Sequence, residues 1–361
     1  TVFEAGGDIR VRHRATGLLQ DAPDAGAAAA SGAVRGARFA TPHGEVTLRA
    51  RLGVVLACGG FPHDTARKQA LLPHAPTGQE HWSAAARGNT GDGLRLGESA
   101  GGRVATNLVQ AAALAPVSRV TRADGSVAHF PHLIERAKPG LIAVLADGRR
   151  FTNEANSYHD VMQDLLRATP PGVEPQAWLI CDHTFMRRYG LGAVKPFPMP
   201  LGPWLASGYL RRGATLAELA TACGINGPML TGTVRHYNNM ARAGHDADHG
   251  KGDTAYNRVQ GDAAWAAARG WPNPCMAPLT QGPYYAVRVV MGSLGTFAGL
   301  RTNAQAQVLD AQQQPIPGLY ATGNDMNSMM GGHYPSGGIT LGPAMTFGWL
   351  AAQHAAARPI S

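Results

Sequence analysis

Two short apolar runs, each ending in glycine, stand near opposite ends of the chain. The first is Gly53-Val54-Val55-Leu56-Ala57-Cys58-Gly59-Gly60 and the second is Gly318-Leu319-Tyr320-Ala321-Thr322-Gly323. An apolar run without polar alternation is the pattern of a strand buried inside an α/β sheet. Glycine at its carboxyl end lets the backbone turn close to a ligand. Two such strands with a differently patterned stretch between them predict an α/β protein. One nucleotide-binding sheet domain is built from residues 1–115 and 283–361, and an α+β domain, 116–282, is inserted into it.

The remaining elements fit this division. Ile9–Leu19 reads as a strand, and Ala33–Ala40 with Glu45–Arg51 reads as a hairpin around Pro42, His43 and Gly44. Asp64 caps a helix through Leu72, and a second helix runs from Gly93 to Ala100 before a Gly101-Gly102 stop. In the insert, strands are expected at Leu141–Ala146 and Ala177–Cys181, and helices at Tyr158–Ala168, Leu216–Ala222 and Pro228–Arg242. Gly244–Gly252 reads as a solvated loop, in which His245, Asp246, Asp248 and His249 are more readily a turn than a metal site. The chain returns through a strand at Tyr284–Val290 and closes with a helix over Leu341–Ala357. The alanine run Ala27–Ala30 reads as a loop.

Composition excludes several classes. Apolar residues make up 44% of the 361, enough for a sizeable core, yet no stretch is long and apolar enough to read as a membrane span. The net charge of +8 comes from scattered arginines, not a basic block, which gives no nucleic-acid footprint. Cys58, Cys181, Cys223 and Cys275 lie far apart with no CxxC pair, so neither structural zinc nor a disulfide scaffold is expected, and a reducing, cytoplasmic setting is.

Four stretches in order resemble the FAD-dependent fumarate reductase/succinate dehydrogenase flavoprotein family. They are Val55–Phe61, Thr90-Gly91-Asp92-Gly93, Gly148-Arg149-Arg150-Phe151-Thr152-Asn153-Glu154 and Gly318–Asn324. The segment His333-Tyr334-Pro335-Ser336-Gly337-Gly338-Ile339-Thr340-Leu341-Gly342 is similar to the 3-ketosteroid dehydrogenase branch of that family. The resemblance implies a Rossmann-like FAD-binding domain with an inserted cap, FAD as cofactor, and flavin contacts at Ala57, Asp92, Gly323, Asn324, Thr340 and Leu341. One departure is large: the GxGxxG turn that holds the ADP half of FAD in the family occurs nowhere in this sequence. The chain therefore reads as lacking the first βαβ unit.

Each of these residues has a plainer reading. A glycine-rich turn entering a helix presents free N–H groups and a positive dipole end, which suits the negative charge of a reduced flavin. The turn Gly337–Leu341 could instead be a tight cap on a buried helix. Asp92 could be an ordinary acid in a first helical turn. Asn324 takes the place of a family acid on the ribityl chain. Cys58 replaces a family threonine and reads as a small buried residue.

Substrate class turns on one comparison. Fumarate reductases place a proton-donating arginine four residues after the Asn-Glu of the third stretch; here that position is Tyr158. Residues 302–357 contain neither Arg nor Lys, so a dicarboxylate would lack its clamps. The pattern suits a neutral, apolar ketone. The resemblance then implies Tyr158 as the base, with the Tyr334 hydroxyl and the Gly338 N–H as donors to the carbonyl oxygen. Ser336 stands where enzymes acting at the 4,5 bond carry serine. Tyr158 as a packed helix-start aromatic and Tyr334 as a loop aromatic remain the bland alternatives. The expected activity is dehydrogenation beside a ring ketone, most of all of a 3-ketosteroid, with an unidentified electron acceptor. The rivals are a reductase of small unsaturated acids and a truncated chain without activity.

Overall fold

The fold is given by a computed structural model that describes residues 2–22, 31–122 and 124–357. Ala27–Ala30 lies outside the described residues. The chain forms two compact units: Thr1–Leu72, Ala86–Ala112 and Gly295–Ser361 make one, Pro73–Ala85 and Ala113–Leu294 the other.

The first unit opens with an antiparallel meander of β1 (Arg14–Gln20), β2 (Val34–Thr41) and β3 (Gly44–Arg49). The expected strand from Ile9 starts only at Arg14. Its partner β2 ends at Thr41, so the ladder stops at the Arg14–Ala40 pair, and Ile9 and Val11 are left exposed. β4 (Val54–Leu56) follows, then α1 (Thr65–Leu71), where the Asp64 side chain accepts from Arg67 N at 3.2 Å, and α2 (Asp92–Ser99).

The second unit is built on a mixed sheet of β5 (Trp82–Ser83), β6 (Ala112–Thr121), β7 (Val127–Pro131), β8 (Leu141–Val144), β9 (Gln176–Cys181), β10 (Leu210–Gly213) and β11 (Tyr284–Thr296). Its order is β7-β6-β11-β9-β8, with β5 and β10 also pairing with β11. Its helices are α3 (Tyr158–Ala168), α4 (His183–Tyr189), α5 (Gly202–Ala206), α6 (Leu216–Cys223), α7 (Gly227–Ala243), α8 (Ala255–Gln260) and α9 (Ala263–Arg269). Local chemistry sets their ends. Thr215 and Asn226 cap α6 and α7 through their side chains, and Gly244, at φ 79°, stops α7.

Under this sheet lies a core containing Ile142, Ile180, Leu230, Val234 and Tyr237. Beside it sits a buried charge network. Arg150 pairs with Glu154 and with Asp246, both at 2.8 Å, and Lys251 lies 3.3 Å from Glu154. The Arg150 guanidinium also sits 5.1 Å from the Tyr237 ring centroid. Asp246 thus corrects the sequence reading of a solvated loop. It is 1% exposed, because a buried arginine on the third motif requires an acid from elsewhere.

The first unit resumes with β12 (Gln307–Leu309), β13 (Pro315–Ala321) and α10 (Leu341–Ala357). β13 pairs antiparallel with β12 and parallel with β4, in the order β12-β13-β4. The two glycine-terminated runs therefore are neighbouring parallel strands. β4 does not run through the middle of this sheet: it is an edge strand, and its side chains alternate between faces, Leu56 being buried and Val55 45% exposed. On α10 the large apolar side chains Leu341, Met345 and Trp349 recur every four residues and are exposed. No helix among the described residues is long and apolar enough to cross a membrane.

Candidate functional site

Parallel strands in an α/β sheet present ligand sites at their carboxyl ends. At that end Leu319, Tyr320 and Ala321 pair with Val54, Val55 and Leu56, and Thr322 N continues to Leu56 O at 3.0 Å. Both strands then turn on glycine. Gly60 has φ +73°, and a Cβ there would lie 2.1 Å from Thr296 Oγ1, so only glycine fits.

The two turns are tied together by a residue the sequence reading passed over. Asp325 is fully buried, and its carboxylate accepts from Cys58 N and, at 2.9 Å, from Gly60 N. Gly93, in the first turn of α2, packs so close that a Cβ would lie 2.1 Å from Asp325 Oδ2. Burial raises the Asp325 carboxyl above its usual range, against the pull of the two amides. The signal available in sequence was an acid directly behind the Gly323-Asn324 pair.

A cleft opens beside these turns, with Gly323, Asn324, Asn327, Ile339 and Thr340 among its walls. Asn327 Oδ1 is buried there without a hydrogen-bond partner. The strand end is tied to the last helix through Thr322 Oγ1, which donates to Ala344 O at 2.8 Å. Ahead of α10, Gly338 takes φ +94°, and Gly342 N reaches its carbonyl at 2.7 Å. A Cβ on Gly337, Gly338 or Gly342 would meet no heavy atom within 4 Å, so the start of α10 is open to a planar group.

Of the sequence-assigned residues, Gly323, Asn324 and Thr340 come together on this cleft. Leu341 opens α10 and is exposed, as is Ala57 behind β4. Asp92 opens α2 and forms an ion pair with Arg95, with Arg14 at 4.0 Å. Tyr334 is buried, its ring 5.7 Å from that of Phe297, while Ser336 and Gly338 are exposed. Tyr158 belongs to the second unit, where it opens α3 behind Ser157 and is 6% exposed. Cys58 departs from its expected burial: it is exposed, and partial desolvation together with the Asp325 carboxylate pushes its thiol up to about 11. No group of three or more metal ligands occurs among the described residues. Among the aromatics of the second unit, Trp204 and Tyr209 pack together, their ring centroids 5.3 Å apart. Phe185 packs on Tyr189, the Tyr209 hydroxyl is held by Ser118, and Phe197 is exposed under Arg187.

This donor set fits a flavin. Two amide side chains suit its polar pyrimidine edge, and the helix start suits negative charge at that edge. The family described as FAD binding domain matches residues 1–341. The chain belongs to that family. FAD is accordingly its cofactor. The chain is 40% identical over 325 residues to 4-oxocyclohex-2-ene-1-carboxylate 5-dehydrogenase of Sinomonas cyclohexanicum, covering 90% of this chain and 54% of the relative. It is 37% identical over 314 residues to 3-oxosteroid 1-dehydrogenase of Mycobacterium tuberculosis, covering 86% and 53%. The crystal structure of 3-ketosteroid delta1-dehydrogenase from Sterolibacterium denitrificans, in complex with 1,4-androstadiene-3,17-dione, is similar with a TM-score of 0.87 at 35% identity, covering 99% of this chain and 61% of that one. The chain spans about half the length of the curated relatives it matches.

Proposed function

We propose that the protein dehydrogenates a carbon–carbon bond beside a ring ketone, with a 3-ketosteroid as the leading substrate class. The carrying observation is the segment from Tyr334 to Leu341. It combines a buried tyrosine, a glycine backbone at φ +94° and a helix start, within a stretch, 302–357, that has neither Arg nor Lys. FAD, when bound, supplies the two-electron acceptor for hydride. The protein's own residues handle the proton and the oxygen. The Tyr334 hydroxyl and the Gly338 N–H donate to the ketone oxygen, which acidifies the adjacent C–H by stabilising the enolate. The Tyr158 oxygen takes that proton. Cofactor contacts are assigned to Ala57, Asp92, Gly323, Asn324, Thr340 and Leu341, and Ser336 lies beside the substrate ring. The second unit serves as the cap and substrate domain. The GxGxxG turn of the family is not among these 361 residues, so this assignment covers the flavin side of the cofactor.

The relatives named above carry ring ketones in their names, one of them a carboxylate as well, which supports the ketone before it supports the steroid. Reduced-flavin oxidation and dye-coupled oxidation are therefore compared on a steroid enone, 4-oxocyclohexanecarboxylate and fumarate. Turnover of either ketone with none of fumarate is expected; fumarate turnover alone refutes the proposal. Tyr334→Phe is expected to lower turnover about 10²–10³-fold and Tyr158→Phe about 10²–10⁴-fold, both with flavin retained. Near-normal turnover in Tyr158→Phe removes it from the mechanism.

A further inference from the structure

Arg136 is a buried cation that the mechanism above does not use. It is 2% exposed, and its guanidinium donates five hydrogen bonds to main-chain oxygens. Nε donates to His132 O at 2.8 Å. Nη1 donates to Glu154 O at 2.7 Å and Asn156 O at 3.3 Å. Nη2 donates to Leu133 O at 3.2 Å and again to Asn156 O at 3.3 Å. Two of these acceptors, Glu154 and Asn156, belong to the turn that leads into α3, whose first residue is Tyr158. The guanidinium therefore fixes the backbone just ahead of the tyrosine. A buried guanidinium ordinarily answers a carboxylate in a forked pair; this one is spent on the turn.

The charges around it are otherwise committed. Glu135, its sequence neighbour, bonds His132 Nδ1 at 2.6 Å. Glu154 and Asp246 are held by Arg150, and Glu154 also by Lys251. His159, next along α3, accepts from Leu114 N. Tyr256 and Tyr158 also lie in its field. Burial lowers the guanidinium's pKa, and Glu135, Tyr256, Glu154 and Tyr158 oppose that in decreasing order. By reciprocity a cation stabilised by a phenolate stabilises that phenolate.

Resting on the reading of Tyr158 as the base, we propose that Arg136 is its positioning residue: it fixes the Glu154–Asn156 turn that presents the tyrosine, and its buried positive charge favours the phenolate that accepts the substrate proton. The proton that Tyr158 gains in the reaction is released to solvent in the return half-cycle, and Arg136 keeps its own protons throughout.

Arg136→Gln and Arg136→Lys in the flavin-loaded protein test this. Gln removes the charge; Lys keeps it on fewer donors. The acid limb of the kcat/KM profile is expected to move up by about one pH unit in Arg136→Gln, about a tenfold loss on the acid side, and to stay in place in Arg136→Lys. A structural role alone would lower stability in both without moving the limb. The second readout needs no turnover. Tyrosinate ultraviolet titration of the loaded protein, minus that of Tyr158→Phe, isolates Tyr158, and its transition is expected below the ordinary phenol range and higher in Arg136→Gln. An unmoved limb in Arg136→Gln overturns the proposal. So does a Tyr158 transition at or above the ordinary phenol value in the unaltered protein, a result that stands even if Arg136→Gln does not fold. A fully active Tyr158→Phe sinks the assignment of the base instead, and leaves the titration to judge Arg136.

Discussion

Gly93→Ala should be harmful for a reason that another substitution can remove. In an ordinary helix this change stabilises by about 0.8–1 kcal/mol. Here the new methyl would lie 2.1 Å from Asp325 Oδ2 and 2.5 Å from its Cγ. Overpacking of this kind costs about 1–3 kcal/mol, so a net loss of up to about 2 kcal/mol is expected. Asp325→Ala orphans the Cys58 and Gly60 amides. Each buried unpaired N–H costs about 1–3 kcal/mol, partly offset by releasing a desolvated carboxyl. In the double variant the methyl occupies room the carboxylate has vacated. Gly93→Ala should then be neutral or mildly stabilising, a coupling of at least about 1 kcal/mol. Urea unfolding of the four proteins, with released flavin followed in the same titrations, measures it. Equal destabilisation by Gly93→Ala in both backgrounds would refute the close packing of α2 on Asp325.

Two further outcomes follow from buried and shielded groups. Glu154→Gln leaves Arg150 and Lys251 short of their shared counter-charge and is expected to cost about 3–5 kcal/mol by chemical denaturation at neutral pH. Although burial opposes it, Arg150 first and then Lys251 hold the folded Glu154 carboxyl well below the ordinary 4.5. Its contribution is therefore present above pH 4.5, and the gap between wild type and Glu154→Gln narrows only as the pH falls below it. Cys58, exposed but with its thiol pushed up to about 11 from 9.0, should react with iodoacetamide at mildly alkaline pH about a hundredfold more slowly than a free cysteine, as read by mass spectrometry. Rapid alkylation would contradict the influence of Asp325 on it.

Much of the fold was legible because local chemistry and global packing agree. The Tyr158–Ala168 and Leu341–Ala357 helices have the ends that their sequence patterns predict, and Asp64, Thr215 and Asn226 cap where their side chains can reach a free amide. What was not legible depends on partners distant in sequence. Asp246 lies in a stretch that looks solvated, and only Arg150, 96 residues away, makes it buried. Val55 reads as core because it is apolar, and it is half exposed on the face of β4 opposite the buried Leu56. Asp325 carries no motif of its own; its role arises from two amides 265 and 267 residues earlier. In the cleft, Gly323, Asn324 and Thr340 could be picked out by pattern. The unpartnered oxygen of Asn327 could not, since its burial depends on the residues that come together around the cleft.

The same long separations govern the order in which the molecule can come into being. As the chain leaves the ribosome, β4 and the Cys58–Gly60 turn emerge early, yet the strand that pairs with β4 and the carboxylate that holds the turn follow more than 260 residues later. Synthesis at about 5–20 residues per second leaves the early segment waiting for tens of seconds or more. By the end of that interval the long continuous segment Ala113–Leu294 is complete, while the last piece of the other unit, Gly295–Ser361, is not. The wall that Gly323, Asn324 and Thr340 give to the flavin cleft is thus among the last parts of these residues to be made.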